Sequence, residues 1–370
     1  MFRDTEIDVA KLPDVSQQAA DDYINNKKSL LKMVNDKLAG RKDIEQLIGD
    51  NSMDKMFANH ENHFLFMKNV FKLNAYQLLV RTIPWVYKTY SAQGFAYEYF
   101  SIELKKWIEA VDMFLEPDNA LLINEVYSFL LENHEKFIKL SQRTEYRKFN
   151  ISGKWEKVND SFFSALMDGD EKTCIKLAED KVNSQKEVTY FFEQVITPAM
   201  YKVGNLWEEG EISVAEEHLA SSMMSQVLFS LYSDYMSFEK SRGQAVITAI
   251  ANEYHEIGSR IIADSLELDG WDVRHLGADT PISELIDYLI QEKPFLLGLS
   301  VSVSFNLLNV VETINRIRDN SKIDDLKILV GGKLFNDNPE LWKKTGADAW
   351  AQDSSEAQKI ARRWWEEREE

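Results

Sequence analysis

The chain has 370 residues, of which 44% are hydrophobic and 12% aromatic, enough apolar material for two or three packed domains. Its formal net charge of -18, without a dense Lys/Arg cluster, argues against the basic face that a nucleic-acid partner requires. No apolar run reaches the ~18 residues that cross a bilayer, and the first residues lack the apolar core of a signal peptide, so we expect no membrane partner and a cytoplasmic protein.

Residues 1–150 have the pattern of a helical domain, because they contain few glycines and their apolar residues recur at intervals of three and four. The recurrence is clearest in Met56, Phe57, His60, Phe64, Met67, Val70 and Phe71. Residues 83–115 also carry nine aromatic side chains, a high density for an ordinary helical bundle. This part of the chain is therefore predicted to be a helical sensor or interaction domain.

Residues 151–240 are predicted to form a four-helix bundle. The four helical segments run from Trp155 to the break at Asp168-Gly169-Asp170, from there to about Asn183, from about Glu187 to Gly210, and from Ile212 to about Tyr235. Because the connections between them are short, neighbouring helices should be antiparallel.

Residues 241–370 alternate between short apolar runs and amphipathic segments, which is typical of a doubly wound α/β domain. Strands are expected at 245–250, 272–276, 295–301, 327–330 and 347–351, and helices at 257–268, 282–291, 305–318 and 356–365. The predicted fold class is mainly α plus α/β: an N-terminal helical domain, a four-helix bundle, and a Rossmann-like domain with a parallel five-stranded sheet. Such sheets bind ligands beyond the carboxyl ends of their strands.

A histidine stands at that end of the predicted sheet. His255 follows the first strand, and Glu253 lies two residues before it, placed to accept a hydrogen bond from the ring nitrogen that a metal would not use. Gly258 would let a bulky ligand approach the backbone. Two further elements end the third and fourth strands, namely Ser300 with Ser302 and Gly331 with Gly332. We therefore expect these three spaced elements, on three strand ends, to form one site.

This set resembles the cobalamin-binding Rossmann-like domains of methionine synthase and of corrinoid methyltransferase proteins, which carry D-x-H-x-x-G, S-x-L and G-G. The resemblance implies that His255 is the lower axial ligand of the cobalt, and that the nucleotide tail of cobalamin lies buried in a slot beside the sheet. The remaining implied contacts are Glu253, Tyr254, Glu256, Ile257, Gly258, Ser300, Ser302, Gly331 and Gly332. Two residues depart from the pattern: Glu253 replaces Asp, and Ser302 replaces Leu.

A second resemblance lies upstream, where Trp207, Val214, Glu217 and His218 are spaced as in the helical bundle of light-sensing, adenosylcobalamin-dependent regulators. The resemblance implies that this bundle caps the upper face of the corrin and that adenosylcobalamin is the preferred cofactor. In the best-known light-dependent repressors, a His follows the Trp and can capture the photolysed cobalt, whereas here Glu208 follows it. Capture by His218, by water, or by no group stays open.

The aromatic N-terminal part looks like the corresponding region of photocobilins, cobalamin sensors that also bind biliverdin. The implied bilin pocket contains Arg81, Trp85, Tyr87, Lys88 and Tyr90. The alternative is a helical dimerisation domain whose aromatic residues form its core. Cys174 lies in the predicted bundle and is not expected to attach a bilin.

Two functions follow from these resemblances. The first is a non-enzymatic photoreceptor in which photolysis of the Co–C bond drives a conformational or assembly change in a homo-oligomer, which then signals to a protein partner. The alternative is a corrinoid carrier within a methyltransferase system. Methyl transfer requires a corrin face that opens to a partner, whereas sensing requires a capped adenosyl group.

Overall fold

The structure is a computed structural model that describes residues 7–143, 147–235, 240–323 and 325–368. The chain divides into two compact units. The first contains Met1–Tyr146 with Glu208–Glu211, and the second contains Arg147–Trp207 with Ile212–Glu370. Among the helices that the structure describes, none combines the length and the apolar character that crossing a membrane requires.

The first unit is helical, as predicted. Its helices are α1 (Gln17–Asn25), α2 (Lys27–Ala39), α3 (Ile44–Ile48), α4 (Met53–Leu73), α5 (Tyr76–Ala92), α6 (Tyr97–Phe114), α7 (Pro117–Glu132) and α8 (His134–Ser141). Local signals set several ends: the Ser16 and Ser52 hydroxyls accept hydrogen bonds from the Ala19 and Lys55 amides and cap α1 and α4. Helix α4 ends where Asn74 adopts a left-handed conformation.

The core of the first unit is built from stacked aromatic rings. Tyr23 stacks on Phe64 with ring centroids 4.9 Å apart, and Trp107 lies parallel to Tyr127 at 6.3 Å. The Tyr23 and Tyr127 hydroxyls are hydrogen-bonded at 2.8 Å, which satisfies both groups in a fully buried position. Much of the aromatic content of this unit therefore packs against itself.

The second unit begins with the helices of the bundle: α9 (Gly153–Met167), α10 (Glu171–Lys181), α11 (Gln185–Phe191), α12 (Thr197–Glu208) and α13 (Val214–Tyr235). The predicted third helix is interrupted between α11 and α12 by a π-helical turn, Phe192–Ile196. Pro198 accounts for the interruption, because it has no N–H to donate to the carbonyl of Gln194. That carbonyl instead accepts a hydrogen bond from Asn159 Nδ2 at 3.3 Å.

A parallel five-stranded sheet completes the second unit. The strands β1 (Gln244–Ile250), β2 (Asp272–Thr280), β3 (Leu296–Ser300), β4 (Lys327–Gly331) and β5 (Ala349–Trp350) lie in the order β2-β1-β3-β4-β5. The helices are α14 (Ile257–Leu268), α15 (Ile282–Glu292), α16 (Leu307–Arg318), α17 (Lys333–Asp337) and α18 (Ser354–Glu366), with 3-10 turns at Ser304–Asn306 and Pro339–Lys344. The predicted fold class is confirmed.

The strand order places a topological switch point between β1 and β3. Connections from these two neighbouring strands lead to opposite sides of the sheet, which opens a crevice at their carboxyl ends. Since His255 belongs to the connection after β1 and Ser302 to the connection after β3, the predicted site lies at this crevice.

Candidate functional site

His255 presents one ring nitrogen for ligation. Its side chain is 63% exposed, and its Nδ1 lies 2.5 Å from Glu253 Oε1. An ionised carboxylate can only accept, so Nδ1 carries the proton in this hydrogen bond. In the neutral ring, Nε2 then holds the lone pair that a metal ion can take.

The second carboxylate oxygen of Glu253 is also hydrogen-bonded. The residue is fully buried, and its Oε2 accepts hydrogen bonds from the backbone amides of Ser302 at 2.8 Å and Val303 at 3.1 Å. The side-chain amide of Asn306 donates to the same oxygen at 3.3 Å. Glu253 therefore ties the loop after β1 to the loop after β3, and it holds the His255 ring in one orientation.

The two groups shift each other's pKa values. Burial pushes the pKa of Glu253 upward, but the hydrogen bond and charge of His255 and the amides of Ser302 and Val303 outweigh it, so the net pKa is below its usual value. The hydrogen bond to Glu253 raises the pKa of His255 against the opposing effect of burial. More distant charges also act on this ring: Glu217 raises its pKa and Lys333 lowers it.

The other strand ends meet where the sequence predicted. Ser300 at the end of β3 is paired in register with Gly331 at the end of β4. Gly332 has φ +102°, and a Cβ there would collide with the backbone of Val301. The requirement for glycine thus comes from a close approach of two backbone segments. The contribution of Ser302 that the structure shows is its backbone amide, not its side chain.

The residues predicted to face the upper side of a corrin lie at the end of α12 and the start of α13. Trp207 is half-buried in the last turn of α12, whereas Val214 is 53% exposed at the start of α13. Glu217 Oε1 accepts a hydrogen bond from Ser221 Oγ at 2.8 Å, and the His218 side chain is 74% exposed. The charge of Glu217 contributes to the raised pKa of His255, so the start of α13 lies within electrostatic range of the loop after β1.

A cavity of about 470 Å3 lies between α13 and the start of α14. Its lining residues are Ser225, Gln226, Leu228, Phe229, Glu256, Ile257, Arg260 and His275. Sequence reasoning named only Glu256 and Ile257 among these. His275 had no recognisable pattern in the sequence, and in the structure its Nε2 lies 3.0 Å from Ser259 Oγ while burial lowers its pKa to about 4.

Large apolar side chains of α13 and of the loop after β1 are exposed. Tyr254 is 71% exposed, Phe229 64% and Leu219 53%. A Cβ placed on Gly258 would meet no atom within 4 Å, so the approach to the backbone at the start of α14 is open. These features suit a large, partly apolar ligand.

The side chains around His255 indicate which kind of metal centre could bind there. Among the residues that the structure describes, no group of three or more His, Cys, Asp or Glu side chains could enclose a bare metal ion. One exposed imidazole with a buried carboxylate behind it instead fits a metal that brings most of its ligands with it, as in a macrocycle. The residues present therefore fit a metal macrocycle such as a corrin, which His255 would ligate through Nε2.

The residues of the predicted bilin pocket lie on α5 in the first unit. Tyr87 is buried, stacks on Phe100 with centroids 4.0 Å apart, and lies 2.9 Å from His134 Nδ1 through its hydroxyl. Trp85, Tyr90 and Arg81 are half-buried. Lys88 forms an ion pair with Glu209 at 3.1 Å. The faces of Tyr87 are thus occupied by protein, whereas Trp85 and Tyr90 are partly accessible.

Comparison with known proteins assigns the second unit to a known class of domain. Residues 158–232 match one B12 binding domain model, and residues 243–359 match another. A corrinoid protein of Desulfitobacterium hafniense is 24% identical over 55% of this chain and 94% of its own length. Trimethylamine corrinoid protein 1 of Methanosarcina acetivorans is 26% identical over 52% of this chain and 89% of its own. The structure of the monomethylamine corrinoid protein from Methanosarcina barkeri aligns with 56% of this chain and over 97% of its own length, with 21% identity and a TM-score of 0.49.

The prediction of a light sensor is wrong. The relatives that match this chain are named as corrinoid proteins, several of them after methylated amines, which supports the alternative prediction of a carrier in a methyltransferase system. The prediction was based on the spacing of Trp207, Glu217 and His218, but a bundle of this kind serves more than one function. Without a light-sensing function, the prediction of light-dependent assembly also has no support.

The names of these relatives agree with the expectation that the chain is not itself an enzyme. Two B12 binding domains cover residues 158–232 and 243–359, and the geometry around His255 fits the cofactor that gives these domains their name. The chain is therefore a cobalamin-binding protein.

Proposed function

We propose that this chain is a corrinoid protein that carries a methyl group on cobalt between partner proteins of a methyltransferase system. The observation that carries the proposal is the extent of the match: relatives named as corrinoid proteins align over 94% and 89% of their own lengths, all within about half of this chain. The second unit is therefore proposed to contain the whole corrinoid-carrying function, and the first unit to be an additional domain.

His255 is the proposed lower ligand of the cobalt, through Nε2. Bound cobalamin supplies a cobalt atom that accepts and releases a methyl group. The chain's contribution is to fix the ring: Glu253 holds Nδ1, and the amides of Ser302 and Val303 hold Glu253. Such outer hydrogen bonds keep one tautomer and increase the basicity of the ligating nitrogen.

The nucleotide tail of the cofactor is proposed to lie beside the ends of β3 and β4, at Ser300, Gly331 and Gly332. The edge of the corrin is proposed to contact the loop after β1 and the start of α14, where Tyr254, Glu256, Ile257 and Gly258 are exposed or half-buried. The closeness of the β3 and β4 ends, with Ser300 opposite Gly331, supports one continuous slot.

The upper face of the corrin is proposed to lie towards Trp207, Val214, Glu217 and His218. A preference for adenosylcobalamin was predicted from these residues, and a carrier should bind methylcobalamin at least as tightly. Titrating the chain with adenosyl-, methyl- and hydroxocobalamin and comparing the three dissociation constants separates these expectations. A methyltransferase is the proposed partner, and it must reach this face.

Biliverdin binding by residues 1–150 stays a prediction. The partly accessible Trp85 and Tyr90 support it, while the packing of Tyr87 against Phe100 means that a bilin would have to displace core contacts. Adding biliverdin to the purified chain tests it, because a bound bilin develops a sharpened red absorption band.

The test of the carrier function uses the full chain loaded with hydroxocobalamin and reduced to cobalt(I). We expect the cobalt to be methylated by methyl iodide, and by a methylated amine when a matching purified methyltransferase is added, with the visible spectrum reporting each change. A reduced chain that methyl iodide leaves unchanged would contradict the proposal, because its cobalt would be closed to a methyl group of any origin.

A further inference from the structure

The bundle and the sheet of the second unit are joined by a polar contact far from His255 in the sequence. Glu193 lies in the π-helical turn, and its Oε1 accepts three hydrogen bonds from the start of α18: from Ser355 Oγ at 2.6 Å, from Ser354 Oγ at 3.0 Å, and from the Ser355 amide at 3.2 Å. The first N–H groups of a helix have no partner within it, and the helix dipole favours a negative charge there. The start of α18 therefore suits a carboxylate.

The π-helical turn is what makes this position unusual. In that turn the amide of Thr197 donates to the carbonyl of Phe192, which inserts one extra residue before Pro198. Such insertions are uncommon and occur often at functional positions. Phe192 is fully buried in the bundle core, so the turn is anchored next to the Glu193 contact.

Other contacts between the bundle and the sheet domain involve α14, and they include both apolar packing and a hydrogen bond. Ile261 of α14 is 7% exposed and belongs to the apolar core of the bundle. Tyr232 of α13 adds a hydrogen bond to Glu267 of α14 at 2.7 Å. Apolar contact is non-directional and tolerates small displacements, whereas the Glu193 contact is either formed or broken.

We propose that Glu193 is a positioning residue whose hydrogen bonds to Ser354 and Ser355 hold the bundle closed over the carboxyl edge of the sheet, and that breaking them opens the upper face of the cofactor. This inference rests on the proposed carrier function, because a carrier must both cover its cobalt and present it. Glu193 is half-buried, so its carboxylate regains water when the contact breaks. The closed state is therefore favoured by a modest amount that a partner can overcome.

The experiment measures access to the upper face in the full chain loaded with aquocobalamin, using cyanide at concentrations that replace only the upper ligand. We expect Glu193→Ala to raise the substitution rate about tenfold, the shift that loss of about 1.4 kcal/mol of charge-assisted hydrogen bonding gives. Gln194→Ala is the matched control, because Gln194 lies in the same turn and accepts from the Ser152 amide at 2.8 Å. Its rate should match that of the wild type.

A double-mutant cycle tests the named contact. Ser355→Ala should raise the rate in the same direction, and adding it to Glu193→Ala should produce no further increase, since both substitutions remove one interaction. Glu193→Gln, which keeps an acceptor oxygen without the charge, should give an intermediate rate. Equal rates in Glu193→Ala and Gln194→Ala, or additive effects in the cycle, would overturn the proposal.

A measurement on the cobalamin-free chain separates the effect of the Glu193 contact from any loss of cofactor affinity in a variant. In the cobalamin-free chain, backbone hydrogen exchange across residues 353–358 should be faster in Glu193→Ala than in Gln194→Ala, and unchanged exchange would overturn the proposed contact. Neither assay includes a methyltransferase. Failure of the carrier proposal would therefore appear as an unmethylated cobalt, while the effect of Glu193 on the rates would persist.

Discussion

Removal of the Glu253 carboxylate should loosen the switch point of the sheet. In Glu253→Ala, the amides of the half-buried residues Ser302 and Val303 lose their acceptor, and a fully buried donor left unsatisfied costs about 1–3 kcal/mol. Two such donors give an upper bound of about 2–6 kcal/mol, and we expect a loss of about 2 kcal/mol because both residues are half-buried and water can reach their amides. The link to His255 adds little, because that side chain is 63% exposed.

Hydrogen exchange of the full cobalamin-free chain measures this loss at residues 300–304. Glu256→Gln is the matched control: Glu256 lies in the same loop but is exposed, so local stability should not change. Cobalamin affinity should fall about 10- to 100-fold in Glu253→Ala, as it does when an outer hydrogen-bond partner of a metal ligand is removed. Unchanged exchange at Ser302 and Val303 would refute the reasoning about the buried carboxylate.

Three further predictions concern the rest of the chain. Burial lowers the pKa values of His60 and His63 to about 3, so the stability they contribute is present above pH 6.5 and is lost as the pH falls. Burial raises the pKa of Glu103 to about 7, so this carboxyl binds a proton more readily in the folded state and opposes the effect of the two histidines. Between pH 4.5 and 6.5, the unfolded state binds two more protons at the histidines, whereas the folded state binds one more at Glu103. Hydrogen exchange over residues 56–71 should therefore show a net loss of stability as the pH falls. Burial raises the pKa of the Cys174 thiol to about 11, so an aromatic disulfide reagent should label it only after unfolding, and rapid labelling of the folded chain would contradict its placement. If biliverdin binds, Trp85→Ala should weaken its binding more than it lowers the melting temperature, whereas an equal effect on both would indicate a structural role.

The sheet and the position of the candidate residues on it were predictable because each signal is local. Buried parallel strands are nearly continuous runs of apolar residues, and the residues after each run mark the carboxyl edge. The α14 prediction at 257–268 matches the observed helix, Ile257–Leu268. Pro198 is a local signal for the break in the bundle's third helix, because it lacks the N–H that an uninterrupted helix requires.

The long-range contacts were not predictable, since no local pattern encodes them. Glu253 was expected to hold His255, yet its bonds to the amides of Ser302 and Val303 depend on where the third strand ends in space. The contact of Glu193 with Ser355 joins two elements that no motif connects.

The light-sensor prediction was wrong for a related reason. Trp207, Glu217 and His218 describe two ends of neighbouring helices, and that geometry is compatible with an adenosyl group or with a methyl group. Which one is used depends on the partner, and a single chain does not encode its partner locally. The aromatic residues of α5 are similarly ambiguous: Tyr87 lies in the core, while Trp85 is partly accessible.

The lower ligand is the central claim, and isotope labelling tests it directly. The full chain with nitrogen-15 in its histidines is loaded with unlabelled cobalamin and reduced to cobalt(II), and electron paramagnetic resonance reads the nucleus of the axial nitrogen. The account predicts the nitrogen-15 splitting pattern in the wild type and in the control His218→Ala, and its loss in His255→Ala. A nitrogen-14 pattern in the labelled wild type would contradict the account, because the cobalt would then be held by the cofactor's own base.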